Sequence, residues 1–270
     1  KVQLITDMIG KSADPLLLHT PLNIKNEKKV LRAEHFKDYG KIKDCSVEIK
    51  HGEMVGLLGL LGSGRTEFAN LLFGVTPKRE GVLYLDGDKV SVRSPREAVR
   101  KRMSFLTEDR KSSGLIPQMS VRENLVLSAG RKISRFGIIN RKKEKILARE
   151  LAAQFDVRCE SLEKQIALLS GGNQQKVLLA RLMATNPKLV ILDSPTRGID
   201  IQSKDVIEQT VRELQKDGVS FLLISSELPE LIRNCQRVIT VIQGSTVGEL
   251  PGKDITEEAM IRLLANSVQG

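Results

Sequence analysis

At 270 residues the chain can hold one large domain or two small ones, and it can bury a full core. No apolar run approaches the ~18 residues that cross a bilayer, and KVQLITDMIGKSAD at the start lacks a signal-peptide pattern, so any tie to a membrane is expected through a partner. A net charge of +10 admits nucleic acid, but 3% aromatics with no tryptophan leave few stacking platforms and the cations are dispersed, so no direct nucleic-acid partner is expected.

Residues 1–27 read as a tail and linker, an irregular polar stretch punctuated by Asp14-Pro15 and Thr20-Pro21. ITDMIGKS at Ile5–Ser12 echoes IRLLANS at Ile261–Ser267. Either the match is chance, or residues 1–12 end a preceding homologous domain and this chain is the second half of a tandem protein. The domain itself is placed at 28–270. Leu31–Phe36 and Cys45–Ile49 alternate as strands do, and Gly81–Val90 forms a hairpin turning at Asp86-Gly87. Between them, Glu53–Leu58 suits a buried strand, and Glu67–Phe73 has helical spacing that stops at Gly74. Met103–Thr107 is another strand. From Val121 to about Asp156 the pattern turns helical, and the basic run Arg131–Lys145 is read as the solvated face of a helix. The positive excess also favours an anionic inner leaflet nearby. A helix after Lys176, a strand at Leu189–Asp193, a helix at Ser203–Asp217, a strand at Phe221–Ser225 and a hairpin near Gln243-Gly244 complete the chain. Strands alternating with helices predict a parallel sheet.

Three segments carry chemistry. Gly59–Thr66 reads GLLGSGRT, a phosphate loop in every fixed position except that Arg65 stands where lysine is expected. Strand, glycine loop and helix are the context that motif needs. The amides of Gly62, Ser63, Gly64 and Arg65 would wrap a phosphate, and the Thr66 hydroxyl would bind magnesium. Leu169–Lys176 reads LSGGNQQK, a serine and two glycines before a helix, which suits an anion. Leu189–Asp193 is four apolar residues and an aspartate, a buried strand that presents a carboxylate to a metal. Cys45, Cys159 and Cys235 show no C-x-x-C and are expected as reduced thiols, and His19, His35 and His51 are scattered and suggest no metal site.

In this order the three segments resemble the nucleotide-binding domains of ABC transporters over about residues 28–250. The resemblance implies an α/β P-loop NTPase of the ABC-ATPase fold, with a RecA-like parallel-sheet core, an antiparallel β subdomain and a helical subdomain at about 115–180. It implies ATP and Mg2+ as cofactors. Gly59, Leu60, Leu61, Gly62, Ser63, Gly64, Arg65, Thr66 and Glu67 would hold the phosphates, Tyr39 would stack on adenine or else lie on the surface, and Thr66, Glu108 and Asp193 would serve the metal. Glu108 takes the place of a glutamine that links magnesium and water to the membrane subunit. Ser194 stands where a glutamate polarises the attacking water, and serine is no base near neutral pH. Ser226 stands where a histidine meets the γ-phosphate. Asp200, in TRGID, lies in the loop that crosses the dimer interface. Ser170, Gly171, Gly172 and Asn173 would close a nucleotide held by the opposite domain.

Taken together, GRT, EDRK-x-x-GL, LSGGNQQK, PTRGID and SSELPE resemble the second nucleotide-binding domain of tandem sugar importers of the ribose, galactose and xylose type. The serine at 194 departs from that pattern too. The resemblance implies a degenerate site of its own, an intact LSGG segment acting in trans, and a homologous domain as partner in the N-terminal half of the same polypeptide. It further implies membrane permease subunits, an indirect sugar-binding protein and a peripheral place on the cytoplasmic face of the inner or plasma membrane. Two alternatives are a non-hydrolysing pseudo-ATPase that gates a complex, and a soluble ABC protein acting on nucleic acid or ribosomes.

Overall fold

A computed structural model describes residues 21–24, 26–109 and 114–266. The echo at residues 1–12 lies outside them. Strands β1 (Lys29–Lys37) and β2 (Cys45–Lys50) pair antiparallel. Strand β3 (Met54–Leu58) runs into the phosphate loop and then helix α1 (Arg65–Phe73). β4 (Glu80–Leu85) and β5 (Asp88–Val90) return to the first sheet, whose order is β2-β1-β4-β5. Their turn is Asp86-Gly87, both at positive φ, as a two-residue hairpin that follows strand twist requires.

After α2 (Pro95–Arg100) and β6 (Met103–Leu106) comes a helical layer of α3 (Val121–Val126), α4 (Gly130–Ile133), a hairpin of β7 (Ser134–Arg135) with β8 (Ile138–Ile139), α5 (Arg141–Gln154) and α6 (Gly171–Met183). Ser120 and Glu123 form a reciprocal cap on α3, and Asn140 caps α5. The stretch from Val121 to Asp156 is therefore not helical throughout. Phe136 and Gly137 both adopt positive φ, which no helix accommodates, so the basic run Arg131–Lys145 crosses a hairpin and is not one helical face.

The remaining elements are β9 (Leu189–Asp193), α7 (Ile201–Lys216), β10 (Ser220–Ile224), α8 (Leu228–Asn234), β11 (Arg237–Ile242), β12 (Ser245–Pro251) and α9 (Glu257–Asn266). The central sheet has the order β12-β11-β3-β10-β9-β6 and is parallel except at the β12 edge. Every residue of β3, β9 and β10 is buried, which explains their unbroken apolar runs: both faces are covered. Alternation sends Met54 and Leu58 into one core with α3, α5 and α6, and Val55 and Leu57 into another with α1 and the first sheet. In register, Ile224 lies opposite both Leu57 and Asp193. The phosphate loop, Ser194 and Ser225 thus leave the sheet at one carboxyl edge, where open α/β sheets bind ligands.

Candidate nucleotide-binding site

The phosphate loop is shaped by close approaches of backbone. A Cβ on Gly59 would sit 2.4 Å from the Ser63 Oγ and 2.5 Å from the Val241 carbonyl oxygen. Gly64 starts α1 at φ +111, and no side chain caps the helix. The first-turn amides therefore face the loop, and the helix dipole adds positive potential there. The Ser63 hydroxyl is buried and has no partner among the described residues. An orphaned donor inside the loop fits a phosphate oxygen, because a buried polar group left unpaired costs about 1–3 kcal/mol.

The loop opens on a cavity of about 660 Å³, lined by Leu61, Gly62, Ser63, Gly64, Arg65, Thr66 and Glu67, and across from them by Glu108, Asp193, Ser194 and Ser226. The volume lies in the range of small-molecule sites. At its floor the Thr66 hydroxyl donates to the Asp193 carboxylate at 2.7 Å, and the Ser194 hydroxyl donates to the other oxygen at 3.3 Å. Burial nevertheless pushes the Asp193 carboxyl above its ordinary range, against those two bonds and the nearby Arg65 charge. A hydroxyl beside a carboxylate is the protein share of a magnesium site whose other ligands are water and phosphate. Among the described residues no group of three His, Cys, Asp or Glu is placed to hold a metal unaided.

Arg65 does not face into the loop. Its Nη1 donates to the Ser225 carbonyl at 2.8 Å, and burial lowers its affinity for the proton. The longer planar side chain reaches the end of β10 and fastens there, where a lysine amine would stay a point charge near the phosphates. Ser194 has φ +51, and its amide donates to the Ile224 carbonyl, so β9 turns sharply at this residue. Ser226 is exposed at the cavity wall. Glu108 is paired with Arg197 of the PTRGID segment.

Some expected residues lie elsewhere. Tyr39 is 80% exposed and does not line the cavity. Leu60 is half-exposed outside the lining. Ser170 caps α6 by accepting from the Asn173 amide, and the Asn173 side chain returns a bond to the Ser170 hydroxyl. The helix begins at Gly171, inside the octet. None of Ser170, Gly171, Gly172 and Asn173 lines the cavity of this chain. The octet instead meets Ser203: a Cβ on Gly172 would lie 2.3 Å from the Ser203 Oγ, and that hydroxyl donates to Asp200 at 2.7 Å. Hydrogen bonds from Ser203 hold the Asp200 carboxyl below its ordinary range.

Two residues of the site were not singled out in the sequence, although Glu230 ends the SSELPE segment. Lys41 lines the cavity beside the loop, with Nζ 2.6 Å from Glu67 Oε1. Glu230 is a buried carboxyl at the cavity's rear, bonded by Thr196 at 2.9 Å and by Ser225, and raised above its ordinary range by burial. Lys41 reaches the loop, and Glu230 its Thr196 partner, across the fold, so spacing along the chain does not place either in the cavity.

Asp193 gives a test of the floor. A carboxyl raised in the folded state makes that state bind more protons than the unfolded chain, so this contribution to stability falls as pH rises above about 4. Asp193→Asn removes the buried charge and still accepts from Thr66. The expected result is a melting temperature a few degrees higher at neutral pH, a flatter pH–stability profile, and at least roughly tenfold weaker magnesium-dependent nucleotide binding. Melting curves between pH 4 and 8 with a nucleotide titration check it; an unchanged profile would remove the buried charge from the account.

The fold and site match known proteins. The ABC transporter family model matches residues 42–197. The ribose import ATP-binding protein RbsA of Caldanaerobacter subterraneus subsp. tengcongensis is 40% identical over 260 residues, covering 96% of this chain and 52% of that protein. The ribose import ATP-binding protein RbsA 2 of Escherichia coli O157:H7 is 38% identical over 261 residues, covering 97% and 51%. The chain spans about half the length of these curated relatives. Among solved structures, the ADP conformation of MJ1267, an ATP-binding cassette of an ABC transporter, superposes with a TM-score of 0.72 at 20% identity, covering 90% of this chain and 99% of that one. The dimeric post-hydrolysis state of the MJ0796 cassette bound to ADP and Pi gives 0.70 at 24%, covering 82% and 98%. These two carry the fold: a P-loop α/β core with an antiparallel sheet and a helical layer. With the phosphate loop, the octet and the Asp193 strand inside or beside the matched segment, this chain belongs to the ABC transporter family.

Proposed function

We propose that this chain is one of two ATP-binding domains of a sugar importer, with the other in the N-terminal half of the same polypeptide. The observation that carries the reading is a separation. The phosphate loop and the octet sit on one chain, yet Ser170–Asn173 lie outside the cavity that Gly62–Thr66 line. A capped helix start whose Ser170 is exposed, with no nucleotide of its own to close, fits a nucleotide held by a facing domain. The names of the relatives supply the cargo class, ribose or a related sugar. Permease subunits, a sugar-binding protein that acts through them, and a place on the cytoplasmic face of the membrane follow from that class.

Within this chain's own site the residues divide the work. The open amides of α1 and the Ser63 hydroxyl bind phosphate oxygens; Thr66 and Asp193 hold the metal. Magnesium bound there neutralises charge on the phosphates. Arg65, fastened to the Ser225 carbonyl, anchors the wall, and Lys41 adds a second cation beside the loop mouth. Ser194 cannot take a proton from water, and Ser226 brings no charge. This site is therefore expected to bind ATP and turn it over slowly or not at all. Domain closure around both sites would drive the permease between its two open states.

The test is direct. The 270-residue chain is expected to hydrolyse ATP barely above background in a phosphate-release assay. Turnover near ~1 per second, ordinary for an enzyme, would end the degenerate-site reading. A second reading, a non-hydrolysing domain that only gates its complex, rests on Arg65, Ser194 and Ser226 together; it requires the assembled protein to stay silent as well.

A further inference from the structure

The hairpin Ser134–Ile139 has no part in the nucleotide site, and nothing in the core accounts for its composition. Ser134 pairs with Ile139 and Arg135 with Ile138. Phe136 and Gly137 form the turn, at φ 52 and 80. A two-residue turn of this kind favours asparagine or glycine at its first position, and a bulky residue with positive φ is strained. Phe136 gains no burial in return: it is 91% exposed, beside Ile138 at 76% and Ile139 at 46%. Strain kept without packing points to a role outside the fold.

The surroundings name the chemistry. Arg131, Lys132 and Arg135 lead in, and Arg141, Lys142, Lys143 and Lys145 follow; all seven are exposed. The one acidic residue in 131–145 is Glu144, which is buried and paired with Arg122 and Arg141. The Arg135 guanidinium lies 5.3 Å from the centre of the Phe136 ring. The most exposed apolar residues sit at and beside the hairpin's turn, with cations before and after it in the chain. A protein receptor would need a matching concave pocket, whereas a bilayer accepts a protruding apolar tip in its headgroup layer and meets flanking arginine and lysine with lipid phosphates.

We propose that this hairpin docks on an anionic lipid bilayer, with Phe136 and Ile138 at the boundary between headgroups and acyl chains and flanking arginine and lysine side chains on lipid phosphates. The contact is independent of the nucleotide site. It would hold one face of the domain against the membrane surface.

Co-sedimentation of the full chain with vesicles tests this. The chain is expected to partition at least tenfold more strongly onto phosphatidylcholine vesicles carrying roughly one third phosphatidylglycerol than onto phosphatidylcholine alone, and to be released by high salt. The double variant F136D/I138D is expected to lose roughly tenfold of that partition while melting at the wild-type temperature, since neither side chain is packed. The pair K142E/K143E should also lose it. No binding of the wild type to the mixed vesicles at low salt would overturn the proposal. So would wild-type partition by F136D/I138D, which would mean dispersed charge alone, and so would capture by an acidic soluble protein in place of the vesicles.

Discussion

If this domain serves a sugar importer as proposed, replacing Ser170 by arginine is expected to abolish uptake while leaving this domain folded and its own cavity intact. Ser170 is exposed, and its hydroxyl accepts only from Asn173, through the amide as a cap worth ~1 kcal/mol and through the side chain. That loss is too small to unfold the domain. If the octet closes a nucleotide on the facing domain, the arginine removes a hydroxyl from the phosphate shell and fills the space it needs. Losing one placed donor at a developing charge typically costs roughly 10²–10³ in rate, so ATP turnover by the assembled protein should fall at least about a hundredfold. Ser170→Ala separates bulk from hydroxyl: it loses the same cap and the same phosphate contact without filling the space. Retained uptake by Ser170→Arg would refute the role in trans. Loss of nucleotide binding by this chain's own phosphate loop would show that the two segments are coupled within one domain.

The second large effect is expected at Gly244. This residue turns β11 into β12 at φ +81, and a Cβ there would lie 1.9 Å from the Lys41 carbonyl oxygen. Its amide donates to the Ser63 carbonyl at 2.8 Å, and its own carbonyl accepts from the amides of Lys43 and Asp44. One glycine thus pins the phosphate loop to the Lys41–Asp44 segment. Gly244→Ala adds left-handed strain of about 1–2 kcal/mol and forces two stretches of backbone apart. A total above about 3 kcal/mol lowers the melting temperature by roughly 10 °C in a domain of this size. Nucleotide affinity should fall with it, because the Ser63 carbonyl loses its anchor. Gly87→Ala is the control: φ is +90 there, but a Cβ would meet nothing within 4 Å, so it should show the strain alone. Equal melting temperatures for the two variants would remove the backbone clash from the account.

Much of this was legible along the chain. β3 and β9 read as strands because both faces are covered and the apolar run is unbroken, and α1 stops at Gly74, as its αL cap allows. The turns at Asp86-Gly87 and Gln243-Gly244 are local chemistry and fell where their residues put them. The helical reading of Val121–Asp156 overran a hairpin, because Ser134–Ile139 is too short for periodicity to register and Phe136-Gly137 is no ordinary turn pair. Arg65, Ser194 and Ser226 were visible as unusual residues at their positions, but where the Arg65 side chain would go was not.

By itself, the sequence determined the family, the phosphate loop, the Asp193 strand and the octet, since each is a short run whose function depends on local backbone shape. Only the tertiary structure decided the rest: that Arg65 fastens to Ser225, that Lys41 and Glu230 join the cavity, and that the octet stands outside it against Ser203. Those facts depend on which strands lie side by side. β10 and β11 insert on either side of β3 from more than a hundred residues away, and no local rule of propensity or spacing reports a pairing closed over that distance.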